Sequence, residues 1–359
     1  MPIRCRSARS GLRWSTTGCE ERAAVSRASA LRGIGIAALA ALGALALAVA
    51  SGAEWIPLDR LAAILTGSEK GIHADIVLGL RLPRALAAFS AGGLLALAGA
   101  LMQILLRNPL ADPYVLGLAG GAGTGALGAM LLGLQASLVI GCAWSGALLS
   151  VALVLTLGSR SLLVPATGRE ADQPLRLLLI GVALATGWAA AIMLVLALAP
   201  DASLRGMLFW LMGDLDGAEA FAPPAIALAL LLALALAFGR DCNVLMRGAD
   251  AARTLGVSVH RLRLALMLLA SAATAFAVTT VGTIGFVGLI VPNAVRIMAG
   301  NDQRLALPAC VLGGGALLVL ADTLARTVVA PTQLPVGAVM ALAGVPAFIW
   351  LVVRRPQQS

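Results

Sequence analysis

The chain carries very little charge for its size. Only 12% of its 359 residues are Asp, Glu, Lys or Arg, whereas 60% are hydrophobic and the mean hydropathy is +0.95. Soluble domains carry about 25% charged residues because they need a polar surface. This scarcity of charge excludes a water-soluble globular protein and indicates a chain that lies mostly within a bilayer.

Histidine, lysine and paired cysteines are scarce too. His73 and His260 are far apart in the sequence, so no metal site is expected. Lys70 is not part of a Gly-rich phosphate loop, so we do not expect this chain to bind ATP itself. A membrane enzyme would need a cluster of His, Asp or Cys near one interface, and the sequence shows none. The cysteines have no paired spacing typical of disulfides or zinc ligands: Cys5, Cys19, Cys142, Cys242 and Cys310.

The sequence does contain about ten apolar runs. A helix of about 20 apolar residues crosses the hydrocarbon core, and the short alternating segments of a membrane barrel are absent. The 40 glycines fit close packing of such helices through small faces. The sequence therefore predicts an all-α polytopic membrane protein with spans at residues 34–50, 76–106, 115–134, 136–157, 175–199, 223–238, 262–281, 285–299, 305–324 and 337–353.

The arginines predict the orientation of the spans. Residues 1–30 form an Arg-rich tail that we expect to be cytoplasmic and disordered, followed by a membrane domain at 31–353 and a cytoplasmic tail at 354–359. An uncleaved first span is favoured over a signal peptide because nine further spans follow. The net charge of +9 then reflects topology, and no nucleic-acid partner is expected. A minority of basic residues falls outside and needs another explanation: Arg60, Lys70, Arg81, Arg84, Arg205 and Arg326.

Ionisable residues are almost absent from the predicted spans. A secondary transporter driven by ions would need buried Asp or Glu facing a cavity, so we place that reading second and expect the energy source on another subunit. Asp322 and Arg326 are four residues apart near the outer end of the ninth run, where they could pair on one helix face. A purely structural pair is the simpler interpretation of these two residues.

Seven motifs together resemble a known family. They are RLPR at 81–84, RNPLADP at 107–113, WLMG at 210–213, NVLMRGADAARTLGV at 243–257, GTIGFVGLIVP at 282–292, ADTLAR at 321–326 and PTQLPVG at 331–337. In this order they resemble FecCD-type permease subunits of ABC importers for iron siderophores, haem and cobalamin, which have the type II importer architecture. The motif residues that we expect to be structural are Asn108, Pro109, Asp112, Pro113, Gly213, Gly285, Gly288, Pro292, Asp322, Pro335 and Gly337.

Three positions depart from the family pattern. Gln333 replaces a usual Glu, Asn293 an often-found His, and Thr283 a usual Pro. These departures leave the resemblance intact, and the sequence does not indicate what they change.

The loop at 239–263 is a long cytoplasmic connection. Its spacing of small and apolar residues between Gly248 and Gly256 predicts a short surface helix. An ordinary solvated helix is the simpler reading of that pattern alone. The resemblance implies that this segment seats in a groove of the ATPase, which assigns coupling to Arg247, Gly248, Ala249, Ala252, Arg253, Leu255 and Gly256.

The resemblance also gives the outer arginines a role. It implies that a periplasmic substrate-binding protein docks there, and a cationic rim would attract acidic residues of that partner. Arg81, Arg84 and Arg326 are the docking candidates, whereas Arg81 and Arg84 could instead anchor a helix at the lipid headgroups.

The resemblance implies a complete assembly. Two copies of the chain would form the pathway in the bacterial inner membrane, with both termini in the cytoplasm. ABC ATPase subunits would bind ATP and Mg²⁺, a periplasmic binding protein would deliver the chelate, and the chain itself would hold no cofactor and be no enzyme. An apolar pathway leaves the choice among siderophore, haem and cobalamin open.

Overall fold

The structure is a computed structural model that describes residues 17–52, 55–163, 172–217, 220–330 and 332–353. Across these ranges the chain forms helices and turns with no strand, as the sequence predicts. The helices are α1 Thr17–Ala50, α2 Leu58–Leu65, α3 Ile72–Ile76, α4 Leu82–Leu105, α5 Leu118–Leu131, α6 Ala136–Leu163, α7 Asp172–Leu198, α8 Asp201–Met212, α9 Ala222–Ala237, α10 Gly239–Leu245, α11 Ala249–Thr254, α12 Val259–Val281, α13 Val287–Ala299, α14 Gln303–Thr327 and α15 Val336–Val353. A π-helical turn at Val77–Arg81 joins α3 to α4, and a 3₁₀ turn at Pro113–Leu116 precedes α5.

Each predicted run corresponds to an apolar helical segment. Within the described ranges, six segments are long and apolar enough to cross a membrane alone, and α9 with α10 forms a further one bent by 57°. The helices α5, α13 and α15 are apolar but shorter. At about 1.5 Å per residue, the 13 residues of α13 cover about 20 Å, less than the hydrocarbon core. Its irregular N-terminal connection at 282–286 is buried or partly buried in protein, and irregular backbone is tolerated at membrane depth where protein covers it.

The predicted N-terminal tail lies partly, and the predicted C-terminal tail wholly, outside the described residues. Helix α1 begins at Thr17, so residues 17–30, which we expected to be disordered, are helical. Ala, Glu and Arg are frequent there and favour helix, which the charge pattern alone did not reveal. Residues 1–16 and the predicted tail at 354–359 lie outside the described residues.

Helix α4 lies at the centre of the fold. In the span from Ile72 to Leu105, 89% of an apolar 18-residue stretch is buried inside the protein. The helices that pack around α4 are α1, α9, α12, α13 and α14. By contrast, only 6% of the corresponding apolar stretch of α7, within Leu179–Leu198, is buried, so α7 presents most of its surface outward. The apolar surface of α7 is available to lipid or to a partner chain.

Glycines let the backbones around α4 approach closely. Gly92 lies against the carbonyl of Gly314 in α14, and Gly99 against Gly288 in α13. A second contact of this kind joins Gly121 of α5 to Gly146 of α6. Small faces of this kind drive helix packing in membranes, where hydrophobicity alone favours no contact over lipid.

We expect the substitution Gly92→Val to lower stability strongly. A side chain there would meet the carbonyl of Gly314 and Cβ of Leu318, 2.7 Å from the new Cβ. Overpacking of this kind costs about 1–3 kcal/mol. Gly43→Val is the matched control because nothing lies within 4 Å of a Cβ at Gly43. Thermal unfolding in detergent measures both, and equal melting temperatures of the two variants would contradict the packing of α4 on α14.

Candidate coupling and docking sites

The cytoplasmic loop at 239–263 contains the predicted surface helix. Helix α11 spans Ala249–Thr254, with Gly248 before it at φ 130° and Gly256 after it at φ 81°. The N–H of Gly256 donates to the carbonyl of Arg253 (3.0 Å), and that of Val257 donates to the carbonyl of Ala252 (2.9 Å). These two bonds form the Schellman termination that a glycine in the left-handed region allows.

Besides Gly248 and Gly256, the five other residues assigned to coupling divide into two groups. Ala249 and Ala252 are buried and attach α11 to the core. Arg247, Arg253 and Leu255 are exposed, and Leu255 exposes 66% of its surface. An exposed leucine close in sequence to two exposed arginines gives this end of the molecule an apolar contact point and positive charge, which suits a protein partner.

An amide and a carboxylate join α10 to the start of α14. Asn243 Nδ2 donates to Asp302 Oδ1 (2.7 Å), and Asn243 Oδ1 accepts from the backbone N–H of Gln303 (2.8 Å). Asp302 is also the N-cap of α14, since its Oδ1 accepts from the N–H of Arg304 (3.1 Å). The sequence did not point to this contact, because its two sides are 59 residues apart.

Four charged side chains and one neutral amide cluster at the other end of α14. This outer cluster consists of Arg84, Asp216, Asp322, Arg326 and Gln333. Asp322 Oδ1 accepts from Arg84 Nη2 (3.0 Å), and Asp322 Oδ2 accepts from Arg326 Nε (3.1 Å). Arg84 Nη1 donates to Asp216 Oδ1 (2.9 Å), and its Nη2 donates to Gln333 Oε1 (3.1 Å).

Burial makes Asp322 the centre of the outer cluster. Its side chain is 1% exposed, whereas those of Arg84 and Arg326 are 15% and 12% exposed. A carboxylate with so little access to water persists because two guanidinium groups pair with it. The expected contact between Asp322 and Arg326 is confirmed. Gln333 supplies a neutral acceptor to Arg84 where the family usually has Glu.

Arg81 lies apart from the outer cluster. It is 9% exposed, and its Nη1 donates to the carbonyls of Val49 and Ala50, both at 3.1 Å. The guanidinium also lies against Gly52. It therefore caps the C-terminal carbonyls of α1, where a cation also interacts favourably with the helix dipole. Its assignment to docking stays a prediction.

The loop between α4 and α5 packs onto α13. Asp112 Oδ1 accepts from the N–H of Tyr114 (2.8 Å), and the Tyr114 hydroxyl bonds the carbonyl (3.0 Å) and the N–H (3.1 Å) of Ile284. Asn293 Nδ2 donates to the carbonyl of Pro109 (2.9 Å). The motifs at 107–113 and 282–292 therefore meet in space. Within them Asn108 accepts from the N–H of Leu110 (2.9 Å), and Pro113, Gly288 and Pro292 are buried.

Two further motifs, at 210–213 and 331–337, meet the motif at 282–292 beside α8. Gly213 has φ 81° and packs on Ile284, and its carbonyl accepts from the N–H of Val336 (3.1 Å), just after Pro335. Gly337 lies against the carbonyl of Met212, and the Thr283 hydroxyl donates to the carbonyl of Leu211. Gly285 has open space where a Cβ would lie, so packing does not explain it. Both Thr283 and Asn293 thus make hydrogen bonds that tie an irregular segment in place.

Asp112 predicts a pH effect on stability. Burial raises the pKa of its carboxyl from 3.8 to about 6, against the opposing effect of the hydrogen bond from Tyr114. A carboxyl with a raised folded-state pKa contributes stability below about pH 4 and loses it as the pH rises through about 6. In the Asp112→Asn variant, which keeps the acceptor for the N–H of Tyr114, we expect the melting temperature to fall much less between about pH 4 and 7 than it does in the unsubstituted chain. An unchanged fall would contradict this burial.

The described residues hold no group of three or more His, Cys, Asp or Glu side chains placed to bind a metal ion. What they hold is a bundle of apolar helices with a charged cluster at one end and an exposed short helix at the other. The fold and these two ends define a multi-spanning membrane transport protein.

Comparison with known proteins gives the family. The model of the FecCD transport family matches residues 38–354. The vitamin B12 import system permease BtuC of Yersinia pseudotuberculosis is 39% identical over 280 residues, covering 77% of this chain and 81% of that protein. The cobalamin import system permease BtuC of Halobacterium salinarum is 40% identical over 287 residues, covering 77% and 73%. The chain belongs to the FecCD transport family and is a permease subunit of an ABC importer.

A solved structure supports the same fold. A chain of an ABC transporter assigned to the metal-chelate type, in an inward-facing conformation, matches with a TM-score of 0.76 and 25% identity, covering 90% of this chain and 99% of that one. The predicted type II permease architecture is therefore confirmed.

Proposed function

We propose that this chain forms the membrane pathway of an ATP-driven importer for metal-chelate compounds of the cobalamin, haem and iron-siderophore class. The observation that carries the proposal is the match to permeases named for cobalamin import along about three quarters of the chain. Those relatives put cobalamin first among the candidate ligands.

The assembly that we propose is a homodimer in the bacterial inner membrane, with N- and C-termini in the cytoplasm. ABC ATPase subunits bind ATP and Mg²⁺, and the permease holds no cofactor. A periplasmic binding protein delivers the ligand to the outer end. The outward-facing apolar surface of α7 supports a fold that meets lipid or a second copy.

The exposed helix α11 supports the coupling role. Small buried residues hold it against the core, and Leu255 and Arg253 face outward. ATP-driven closure of the ATPase pair would move α11 and, with it, the helices that surround the pathway.

The outer cluster supports the docking role of Arg84 and Arg326. The side chains of both arginines are slightly exposed, and the ion pair between Arg84 and the exposed Asp216 shows that Arg84 can bind a carboxylate at the surface. An acidic side chain of the binding protein could bond Arg84 in the same way. Arg81 has little exposed surface for such a contact.

Uptake by cells tests this function and names the ligand. Cells without the chain and complemented cells receive radiolabelled cyanocobalamin, haem or a ferric siderophore, with and without ATP depletion. We expect complementation to restore ATP-dependent uptake of cyanocobalamin. Uptake that follows only the proton gradient would favour a secondary transporter, and unchanged uptake of all three compounds would remove this substrate class.

A further inference from the structure

The contact between α10 and α14 does more than cap a helix. Asn243 offers both ends of its amide to α14, so the N–H of Gln303 depends on a side chain from a different element. Gln303 is 3% exposed, so water reaches this amide poorly. Breaking the contact would leave a buried donor without its acceptor, which is destabilising.

A second contact holds the same two elements together. Gly239, the first residue of α10, packs on Arg304, and a Cβ at Gly239 would lie 3.1 Å from Arg304 Cγ. The hydrogen bonds of Asn243 fix the direction of this contact, because an amide and a carboxylate hold their geometry whereas apolar side chains slide. These contacts therefore hold the start of α14 to α10, so that the two move together.

Helix α10 is in turn held to α11. Only the turn at 246–248 separates them, and its N–H groups bond back to α10, with Gly248 donating to the carbonyl of Leu245 (3.0 Å). Cys242, Leu245, Ala249 and Ala252 are all buried in one continuous core cluster. A displacement of α11 therefore reaches α10.

Helix α14 connects this end of the molecule to the other. Its 25 residues cover about 37 Å at about 1.5 Å per residue. Asp302 caps its first turn, and Asp322 and Arg326 lie in its last turns within the outer cluster. Helix α14, which contains Pro308, is held at both ends by polar contacts, and a packed helix of this kind can carry a displacement from one end to the other.

We propose that the pair Asn243 and Asp302 is the joint through which movement of α11 reaches α14 and the outer cluster. Asn243 acts as a positioning residue, and the inference rests on the proposed coupling role of α11. When the ATPase subunits move α11, the amide carries the start of α14 with it, and the outer cluster shifts at the far end. Without the joint, ATP hydrolysis continues and the outer end no longer responds.

Exchanging the two side chains tests the joint. Asn243→Asp places a carboxylate against Asp302 and abolishes the bond between them. Adding Asp302→Asn restores the bond in reverse, because the amide introduced at position 302 can donate to the carboxylate introduced at position 243. That carboxylate still accepts from the N–H of Gln303. Asn301→Asp is the matched control: it adds the same charge one residue before Asp302, on an exposed side chain.

The readout is motion at the outer end, which requires no transported ligand. Val328, 66% exposed just after α14, is changed to Cys in a chain whose five native cysteines are Ala, and an environment-sensitive fluorophore is attached. The complex with its ATPase subunits is placed in nanodiscs. Emission is recorded with ATP and vanadate and without nucleotide, and the rate of ATP hydrolysis and the melting temperature are measured on the same samples.

We expect Asn243→Asp to reduce the nucleotide-dependent emission change about fivefold, as for sites coupled by about 1 kcal/mol, while ATP hydrolysis continues. The double variant and Asn301→Asp should give the unsubstituted response. A purely capping role would lower the melting temperature and leave the emission change per ATP hydrolysed intact, which would overturn the joint. The joint would also be overturned if the double variant gave an emission change no larger than that of Asn243→Asp. The same holds if the unsubstituted complex hydrolysed ATP with no emission change at position 328. A complex that hydrolyses no ATP would instead remove the proposed function.

Discussion

Replacing Asp322 with Asn is expected to lower the free energy of unfolding by about 3–5 kcal/mol, the cost of removing one partner from a buried ion pair. Asp322 is 1% exposed and pairs with both Arg84 and Arg326. Its loss leaves two largely buried guanidinium groups facing each other without the carboxylate between them. Thermal or denaturant unfolding of the purified chain in detergent measures the effect.

Asp216→Asn is the matched control for that loss. It removes a carboxylate from the same Arg84, at a similar distance, from a side chain that is 65% exposed. Exposed pairs contribute about 0–1 kcal/mol, so we expect little change. Combining Asp322→Asn with Arg326→Met should recover part of the loss, because one of the unpaired cations is gone. Equal effects of the two Asp→Asn variants would show that burial does not set the strength of the outer cluster.

Replacing Leu255 with Glu is expected to abolish ATP-driven uptake while the chain still inserts in the membrane. The proposed contact with the ATPase would bury this leucine, and a carboxylate there would have to give up its water to be buried in the same way. A loss of about 2 kcal/mol or more, as at an interface hot spot, weakens binding of the ATPase by about thirtyfold or more. Co-purification of the ATPase subunits and ATP-dependent uptake measure it.

Leu132→Glu is the control for this substitution. Leu132 is 75% exposed in the turn between α5 and α6, which the proposed topology places on the outer side. The same change there should leave ATPase binding intact. If the Leu255 variant bound the ATPase as well as the Leu132 variant does, α11 would not be the coupling element.

The spans and α11 could be predicted because their signals are local. Apolar runs of helix length exclude other structures in lipid, and glycines at both ends of a six-residue segment mark a short helix. The helices α2 and α8 were not predicted, since their eight and twelve residues lie outside the apolar runs long enough to span a membrane.

The central position of α4 could not be predicted in the same way. Both α4 and α7 belong to long apolar runs, and lipid favours such a helix whether it faces lipid or protein. The difference lies in which glycines meet a partner backbone. Gly92 and Gly99 find partners in α14 and α13, which are about 190 to 220 residues later in the sequence.

The outer arginines show the same limit. Arg81 and Arg84 are three residues apart and would nearly share a helix face, which suggested one common role. The π-helical turn at Val77–Arg81 ends between them, and Arg81 caps α1 while Arg84 joins Asp322, 238 residues away. The pairing of Asp322 with Arg326 was accessible because both lie on one helix.

Transport by the purified complex tests the central claim most directly. The permease and its ATPase subunits are reconstituted in liposomes with ATP enclosed, without an ion gradient, and the binding protein and radiolabelled cyanocobalamin are added outside. The account predicts that label enters the liposomes and is lost when a non-hydrolysable analogue replaces ATP. Uptake that is independent of ATP and appears only with an imposed proton gradient would contradict the account.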